Sequence, residues 1–431
     1  AGVSPTEGAG IGGDFGPYVQ SERLWMYREH AARLVNQGDA YPCFCTPQDL
    51  GAMRERLKAE GRDPMYDRRC RHLDPAEAAR RVGEGEKHVI RMKIPDDEVL
   101  AVDDLVRGRV EFHSRTVDDQ VLMKSDGFPT YHLAAVVDDH LMEISHVIRG
   151  EEWLSSTPKH VLLYRYFGWE APRFAHLPLI LNKERKKLSK RDGDVAVEAY
   201  RDKGYLPVAL LNFLALIGWS PGDEREVFTL EELVQAFELE RVNKSGGIFD
   251  LDKLNHIQKQ HLKRMPAPAL MEAVLPWFDR AGRARPEPAY LARVVELMRE
   301  RATVLPDFVE VAYFYQDPTE FDAKTFKKRW KADSPELVTR YAGVLESLTE
   351  WSAPALEECL RTVTGPGEAP SAGSQVATKA LSPGDLIHPT RLALSGTGVG
   401  PGLFEMMEVL GRETCLRRMR HAAEHLRADP A

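Results

Sequence analysis

The 431-residue sequence predicts an α/β region followed by an all-α region, on three observations. Between residues 121 and 181, short apolar runs alternate with helical stretches, the pattern of strands joined through helices into a parallel sheet. A loop dense in cations, residues 182–193, follows one of those strands. Ligands of such sheets bind outside the carboxyl ends of the strands, where this loop lies. From about residue 265 onward, nearly the whole chain carries a helical hydrophobic period.

Each element has a local reason. Ser21 to Gln37 reads as a helix: Ser21 caps it, Leu24, Tyr27, Ala31 and Leu34 form an apolar stripe, and Gly38 ends it. Thr46-Pro47 starts another, with Pro47 at the first helical position. His88 to Ile94 alternates Ile90, Met92 and Ile94 against Arg91 and Lys93, so it reads as a half-buried strand. Val121 to Lys124 is a strand, Ser125 to Gly127 a turn, and Thr130 to His140 a helix. Ile144 to Ile148 is expected to be a buried strand. Ser156-Thr157-Pro158 caps a helix running to Phe167. His176 to Leu181 is an apolar strand entering the basic loop. Helices joined by short turns follow from Glu198 to Lys263, and Thr229 with Glu232 forms a capping box. A Pro/Gly/Ser-rich stretch, Thr364 to Gly373, interrupts the helical tail.

Composition bounds the function. With 43% hydrophobic and 29% charged residues the chain is an ordinary globular protein of about two to four domains. No apolar run approaches about 18 residues, so no membrane span is expected, and no signal peptide is visible. Five widely spaced cysteines argue against a disulfide framework and for a reducing compartment. A net charge of −8 does not suggest a nucleic-acid binder. Basic residues nevertheless cluster at Lys183–Arg191, Lys324–Lys331 and Arg412–Arg420. Local patches suffice for phosphate contacts, which are short-ranged at physiological salt. Such patches also occur as solvated helix surface.

The most informative residues are Lys187-Leu188-Ser189-Lys190-Arg191. Five cations fall between Arg185 and Arg191. Two lysines three apart act as point charges on phosphate oxygens, with a hydroxyl and backbone amides between them. Taken alone, such a run also fits a solvated loop. In context it resembles the KMSKS loop of class I aminoacyl-tRNA synthetases, with Leu188 for Met and Arg191 for the last Ser. Ser125 to Ala134, Val136 to Met142 and Val147 to Trp153 resemble the second half of the catalytic domain of bacterial glutamyl-tRNA synthetases. Phe249 to Leu254 and Pro401 to Glu405 resemble later domains of the same family.

That resemblance implies an incomplete Rossmann-type class I catalytic domain with an inserted domain, then two helical domains. The expected layout is a remnant of the first catalytic half (1–24), an acceptor-binding connective domain (25–128), the second catalytic half (129–197), a helical stem-contact domain (198–264) and a helical anticodon-binding domain (265–431). The family's opening strand and HIGH-type motif have no counterpart here: no His is followed by any residue, then Gly, then His. About 70 residues, the first half of a nucleotide-binding fold, are expected to be absent, leaving a fragment with little activity.

The implied reaction is ATP-dependent activation of L-glutamate to glutamyl-adenylate, then transfer to the terminal adenosine of tRNA(Glu). Lys187 and Lys190 are the expected catalytic cations, meeting charge that develops on the α-phosphate and pyrophosphate. Arg149 and Tyr131 match glutamate-binding positions; a planar guanidinium suits a carboxylate. The alternative for Arg149 is pairing with Glu151. Glu152, Ile180, Lys187, Ser189, Lys190 and Arg191 match ATP-contacting positions, with Mg²⁺ accompanying ATP. Ala135 stands where relatives often have Asn. Cys43, Cys45, Cys70 and His72 suit a structural Zn²⁺, and Tyr66 replaces a ligand in some relatives. Packed, reduced cysteines are the alternative there, and Cys359 and Cys415 read as core. Arg301 and Arg391 match anticodon-contacting positions, against exposed helix arginines. A cytoplasmic monomer is expected. A non-catalytic tRNA-binding paralogue and an enzyme that glutamylates a modified tRNA base stand beside the ligase.

Overall fold

Helix α1 (Leu24–Gln37) buries Tyr27, Ala31 and Leu34 completely. Gly38, at φ +83°, takes the left-handed conformation that ends it. Ser21 does not cap it. A 3₁₀ turn, Gln20–Arg23, precedes the helix, and Arg23 is buried to reach Asp138 at 2.7 Å. The structure, a computed structural model, describes residues 3–189, 191, 193, 195–364 and 381–426.

The chain divides into two compact units, Ala1–Asp192 with Leu214–Asp250, and Gly193–Phe213 with Leu251–Ala431. In the first, β1 (Ala40–Cys43) leads to α2 (Pro47–Ala59), whose start is a capping box of Thr46 and Asp49. Then come α3 (Pro75–Gly83), β2 (Val89–Met92), β3 (Val99–Asp104), β4 (Gly108–His113) and β5 (Val121–Met123). The order continues with α4 (Tyr131–Leu141), β6 (His146–Gly150), α5 (Thr157–Phe167), β7 (Arg173–Leu177) and β8 (Ile180–Leu181). After α6 (Val197–Asp202) and α7 (Pro207–Gly218), the first unit regains α8 (Leu230–Ala236) and β9 (Gly247–Ile248).

Three sheets result. β1, β2 and β5 form an antiparallel sheet. The second has the order β4-β3-β7-β6: β3, β7 and β6 run parallel, and β4 is antiparallel at one edge. β8 and β9 pair in parallel. Four expectations need correction here. The strand at 121–124 leaves the parallel sheet for β1 and β2, and its place is taken by β3, from a stretch that the sequence left unassigned. Residues 144–148 are not buried: β6 begins at His146 and is an edge strand, so Ile144 and Ile148 stay 40% and 50% exposed. Arg91 does not face outward. It is 6% exposed, lies over the Tyr66 ring and donates to the Asp119 carbonyl. The run 176–181 breaks at Pro178, which lacks the N–H a continued ladder needs.

The parallel strands carry one core, in which Leu133, Val136 and Val137 of α4 meet Leu162, Leu163 and Phe167 of α5 and Leu100 and Val102 of β3. The second unit continues with α9 (Leu251–Arg264), α10 (Ala267–Arg280), α11 (Pro288–Met298), α12 (Asp307–Glu310), α13 (Ala323–Arg329) and α14 (Ser334–Glu346). It closes with α15 (Ala353–Thr364), α16 (Pro383–Ser395), α17 (Leu403–Leu410) and α18 (Arg412–His425). Among its described residues no strand occurs, as the periodicity predicts. Cys359 and Cys415 are buried in it. The Pro/Gly/Ser-rich stretch beyond Thr364 lies outside the described residues.

Candidate functional site

Arg149 is the next-to-last residue of β6, so the strand delivers it to the carboxyl end of the parallel sheet. Its guanidinium is engaged on three sides: Nε donates to His176 Nε2 at 3.1 Å, Nη2 to Thr157 Oγ1 at 3.0 Å and Nη1 to Tyr131 Oη at 3.2 Å. Tyr131, first residue of α4, is 47% exposed and packs on Trp153 with ring centroids 4.9 Å apart. The alternative pairing of Arg149 with Glu151 does not occur. Glu151 pairs instead with Arg107 and accepts the Leu179 N–H at 3.1 Å. Around this cation the imidazoles are held neutral. Burial pushes His132 down to about 4, and burial also lowers His160.

The basic loop is a tight reversal. The Asn182 N–H donates to the Lys186 carbonyl at 2.8 Å, Arg185 turns at φ +60°, and Leu181 and Lys187 face each other antiparallel. The chain thus returns alongside β8, and the Leu188 N–H donates to the Ile180 carbonyl at 2.9 Å. Lys187 reaches Glu152 at 3.0 Å. Backbone and Lys187 hydrogen bonds hold the Glu152 carboxyl below its ordinary value. Ser189 and Arg191 are exposed, the Arg191 N–H lying 3.4 Å from Ser189 Oγ. Lys190 lies outside the described residues. The sequence therefore brings together Arg149 with Tyr131, and Glu152 with Lys187; Ala135 is half-buried one turn along α4. It missed Asp104, Thr157 and His176, which have no motif around them.

A sulfur cluster sits between β1 and the 3₁₀ turn Arg69–His72. The Sγ atoms of Cys43, Cys45 and Cys70 lie within 4.8 Å of one another. Tyr66 Oη lies 3.3 Å from Cys43 Sγ and 3.5 Å from Cys45 Sγ. His72 is not part of it. In the 3₁₀ turn the two side chains point in different directions, and Cys70 is buried while His72 is exposed. Hydrogen bonding from Cys70, then from Tyr66 and Arg91 against the effect of burial, pushes the Cys43 thiol down to about 4. Three sulfurs within reach of one another are the donor set of a soft metal.

In the second unit, a cavity of about 650 Å³ is lined by Met298, Arg301, Tyr313, Asp317, Thr397 and Gly400, among others. Arg391 of α16 borders it: a Cβ on Gly400 would lie 3.2 Å from Arg391 Nη1 and 3.1 Å from Tyr313 Oη. Burial lowers the Arg391 pKa, and Arg301 adds to the effect. Arg301 and Tyr313 thus line this cavity, and Arg391, ninety residues from Arg301 in sequence, stands at its edge beside Gly400.

Comparison with known proteins gives these sites a context. Residues 7–256 match the family described as tRNA synthetases class I (E and Q), catalytic domain, and residues 269–423 match the anticodon binding domain. The glutamate–tRNA ligase of Chlorobium phaeobacteroides is 47% identical over 438 residues, 97% of this chain and 84% of that protein. That of Chloroherpeton thalassium is 47% identical over 444 residues, 99% of this chain and 86% of its own length. A crystal structure of a glutamate tRNA ligase from Elizabethkingia meningosepticum, in complex with its amino acid, superposes with a TM-score of 0.87 at 34% identity. It covers 98% of this chain and 87% of that one.

Proposed function

Because the chain belongs to the class I tRNA synthetases for glutamate and glutamine, and is a glutamate–tRNA ligase among them, we propose that Arg149 and Tyr131 hold a carboxylate of glutamate while the loop around Lys187 holds ATP. The observation that carries this is the Glu152–Lys187 ion pair, 3.0 Å long, which ties the phosphate-binding loop to the segment bearing Arg149. The carboxylate site then lies at the carboxyl end of the parallel sheet, and the phosphate site in the loop after β8, linked to it through Glu152.

In the first step a substrate carboxylate attacks the α-phosphorus of ATP and pyrophosphate leaves. No protein nucleophile is needed once the reactants are aligned. Lys187 and Lys190 meet the charge that grows on the phosphate oxygens, and Ser189, Arg191, Glu152 and Ile180 complete the ATP site. Lys187 exchanges Glu152 for phosphate when ATP arrives. Both groups of that pair are exposed, so the exchange costs little. Mg²⁺ arriving with ATP would neutralise part of the phosphate charge. In the second step the glutamyl group passes to the terminal adenosine of tRNA. In the full-length enzyme, Lys190→Ala should slow pyrophosphate exchange, with glutamate and tRNA present, by about 10²- to 10³-fold. An unchanged rate would remove Lys190 from the mechanism.

The pocket of Arg301, Arg391 and Tyr313 is assigned to an anticodon base of tRNA(Glu). Unpaired bases expose their edges and faces, to which guanidinium groups bond or stack. The basic run Lys327-Lys328-Arg329 ends α13, which packs on α16 beside Arg391, and it suits the neighbouring phosphates. Zinc is assigned to Cys43, Cys45 and Cys70, with Tyr66 beside them and a structural role. Purified protein should carry about one Zn²⁺ per molecule, lost in Cys43→Ser together with thermal stability. Metal analysis near zero after expression in zinc-replete medium would refute this. All five cysteines are free thiols, which supports a cytoplasmic enzyme, and we take it to act as a monomer. Among the described residues no helix is long and apolar enough to cross a membrane.

A further inference from the structure

Behind Arg149 stands a buried pair that the reaction does not itself use. Asp104 ends β3 and His176 lies in the neighbouring β7, and neither side chain has any solvent exposure. Asp104 Oδ1 accepts the backbone N–H groups of Val106 at 3.0 Å, Arg107 at 2.8 Å and His176 at 3.2 Å. Oδ2 lies 2.6 Å from His176 Nδ1 and accepts the His176 N–H at 3.0 Å. Burial alone would raise the Asp104 carboxyl. The N–H groups and the ring outweigh burial and keep it ionised, below its ordinary value. An ionised carboxylate accepts only, so the proton between them sits on Nδ1. Burial lowers His176, so the ring is neutral and Nε2 carries a lone pair. Arg149 Nε donates to that lone pair at 3.1 Å, and Thr157 Oγ1, which itself accepts from Arg149 Nη2, lies 3.1 Å from the same nitrogen.

The guanidinium has five N–H bonds. His176, Tyr131 and Thr157 take one each, from Nε, Nη1 and Nη2. One hydrogen remains on each terminal nitrogen to donate to a carboxylate. Rotation of the guanidinium plane would misdirect both.

We propose that Asp104 and His176 are positioning residues: Asp104 sets the His176 tautomer, and His176 Nε2 fixes the plane in which Arg149 presents its two remaining N–H bonds to glutamate. The inference rests on the reading that Arg149 binds a glutamate carboxylate. It predicts that one substitution two side chains away reverses a hydrogen bond at Arg149. In Asp104→Asn the amide oxygen stays at Oδ1, where three backbone N–H groups need an acceptor, against the one His176 N–H that Oδ2 shares with Oδ1. The NH₂ then occupies the Oδ2 position and donates to Nδ1. The ring proton moves to Nε2 and faces the Arg149 Nε–H, donor against donor, which is a wrong-tautomer defect.

The experiment measures glutamate KM and kcat by pyrophosphate exchange for four variants, with thermal unfolding and the ring-nitrogen NMR shifts of His176. Asp104→Asn should raise glutamate KM by roughly tenfold or more, leave ATP KM near wild type, and switch the NMR signature from the Nδ1–H to the Nε2–H tautomer. His176→Gln, whose side-chain oxygen can accept from Arg149 Nε, should keep glutamate KM closer to wild type than His176→Leu does. Should Asp104→Asn fail to fold, the Gln and Leu pair decides. Equal glutamate KM in those two folded variants, or wild-type KM in Asp104→Asn, overturns the inference. Arg149→Leu separates it from its premise. If that variant too has wild-type glutamate KM, the carboxylate assignment falls first. If it is impaired while Asp104 and His176 variants are not, only the positioning role falls.

Discussion

Two arginines, Arg149 on β6 and Arg391 on α16, are prepared for their ligands in opposite ways. Arg149 has each guanidinium nitrogen donating to a side chain from a different part of the sheet region. Among the described residues, Arg391 Nη1 is buried with no hydrogen-bond partner, close against Gly400, where a Cβ would lie 3.2 Å from it. A buried donor without an acceptor costs about 1–3 kcal/mol. The cost at Arg391 is recovered when an acceptor arrives, whereas at Arg149 every nitrogen already donates to one side chain and only the two remaining N–H bonds wait for substrate. The first site is fixed in direction before its substrate binds; the second is incomplete without its ligand. Fixed direction serves chemistry, where a reacting atom has to be placed closely. An unmet donor serves selection, because a base that lacks the acceptor leaves the penalty in force.

The sharpest way to break this contrast is to keep charge and remove shape. Arg149→Lys retains the cation but loses the planar fork, so kcat/KM for glutamate should fall by about 10²-fold or more. Arg391→Lys should lower kcat/KM for tRNA by only about tenfold, with glutamate KM unmoved, since a lysine can still donate to one acceptor. Steady-state aminoacylation with each substrate varied measures both. Equal losses in the two variants would show that the sites do not differ in the way described.

The contrast also separates what the sequence could and could not disclose. Arg149, Lys187, Arg301 and Arg391 stand out in the sequence through the resemblance to glutamyl-tRNA synthetases that the runs around them carry. Helix α1, the capping boxes at Thr46 and Thr229, and the all-helical second unit were legible because helix signals are local. Asp104 and His176 were not. They are 72 residues apart, joined only by the parallel pairing of β3 with β7, and parallel pairing leaves no turn signature. The same reason hid β3 itself. His72 was chosen on ligand type and spacing, but the 3₁₀ turn there sends alternate side chains apart. Arg91 was placed outside by period-two alternation, which a buried ring and a carbonyl partner override. Pro178 was visible in the sequence and should have divided the strand before Ile180.

A finer test of the second site concerns which acceptor it awaits. Glutamate and glutamine tRNAs differ at the third anticodon base, and Arg301 lines the pocket from the turn after α11. Arg301→Gln should raise charging of glutamine tRNA relative to glutamate tRNA by roughly tenfold, from about 1–3 kcal/mol of lost discrimination. The ratio of kcat/KM on the two transcripts is the measurement. A ratio that stays put would take Arg301 out of selection and leave the penalty at Arg391 alone to account for it.

The smallest effect lies in the wall of the same pocket. Asp317 accepts from Arg417 and, at 2.8 Å, from Arg418 Nε. Arg418, 5% exposed, also donates to the carbonyls of Tyr313, Gln316 and Leu394, so α18 ties together the segments on both sides of the opening. The Arg417 hydrogen bond, more than Arg418 and against some burial, pushes the Asp317 carboxyl down to about 2. A folded-state value below the unfolded one means that the stabilisation is full above the unfolded value, near pH 4, and is lost as pH falls through about 2. Both partners of the Arg417 pair are about half exposed, so solvent screens much of it. Asp317→Asn should therefore cost only about 1 kcal/mol at neutral pH, and the gap from wild type should narrow as pH drops below about 4. Urea unfolding of wild type and variant across that range measures it. A gap that does not change with pH would mean that the substitution disturbs packing, not charge. A variant with altered glutamate KM would contradict the independence of the two arginine sites on which the comparison stands.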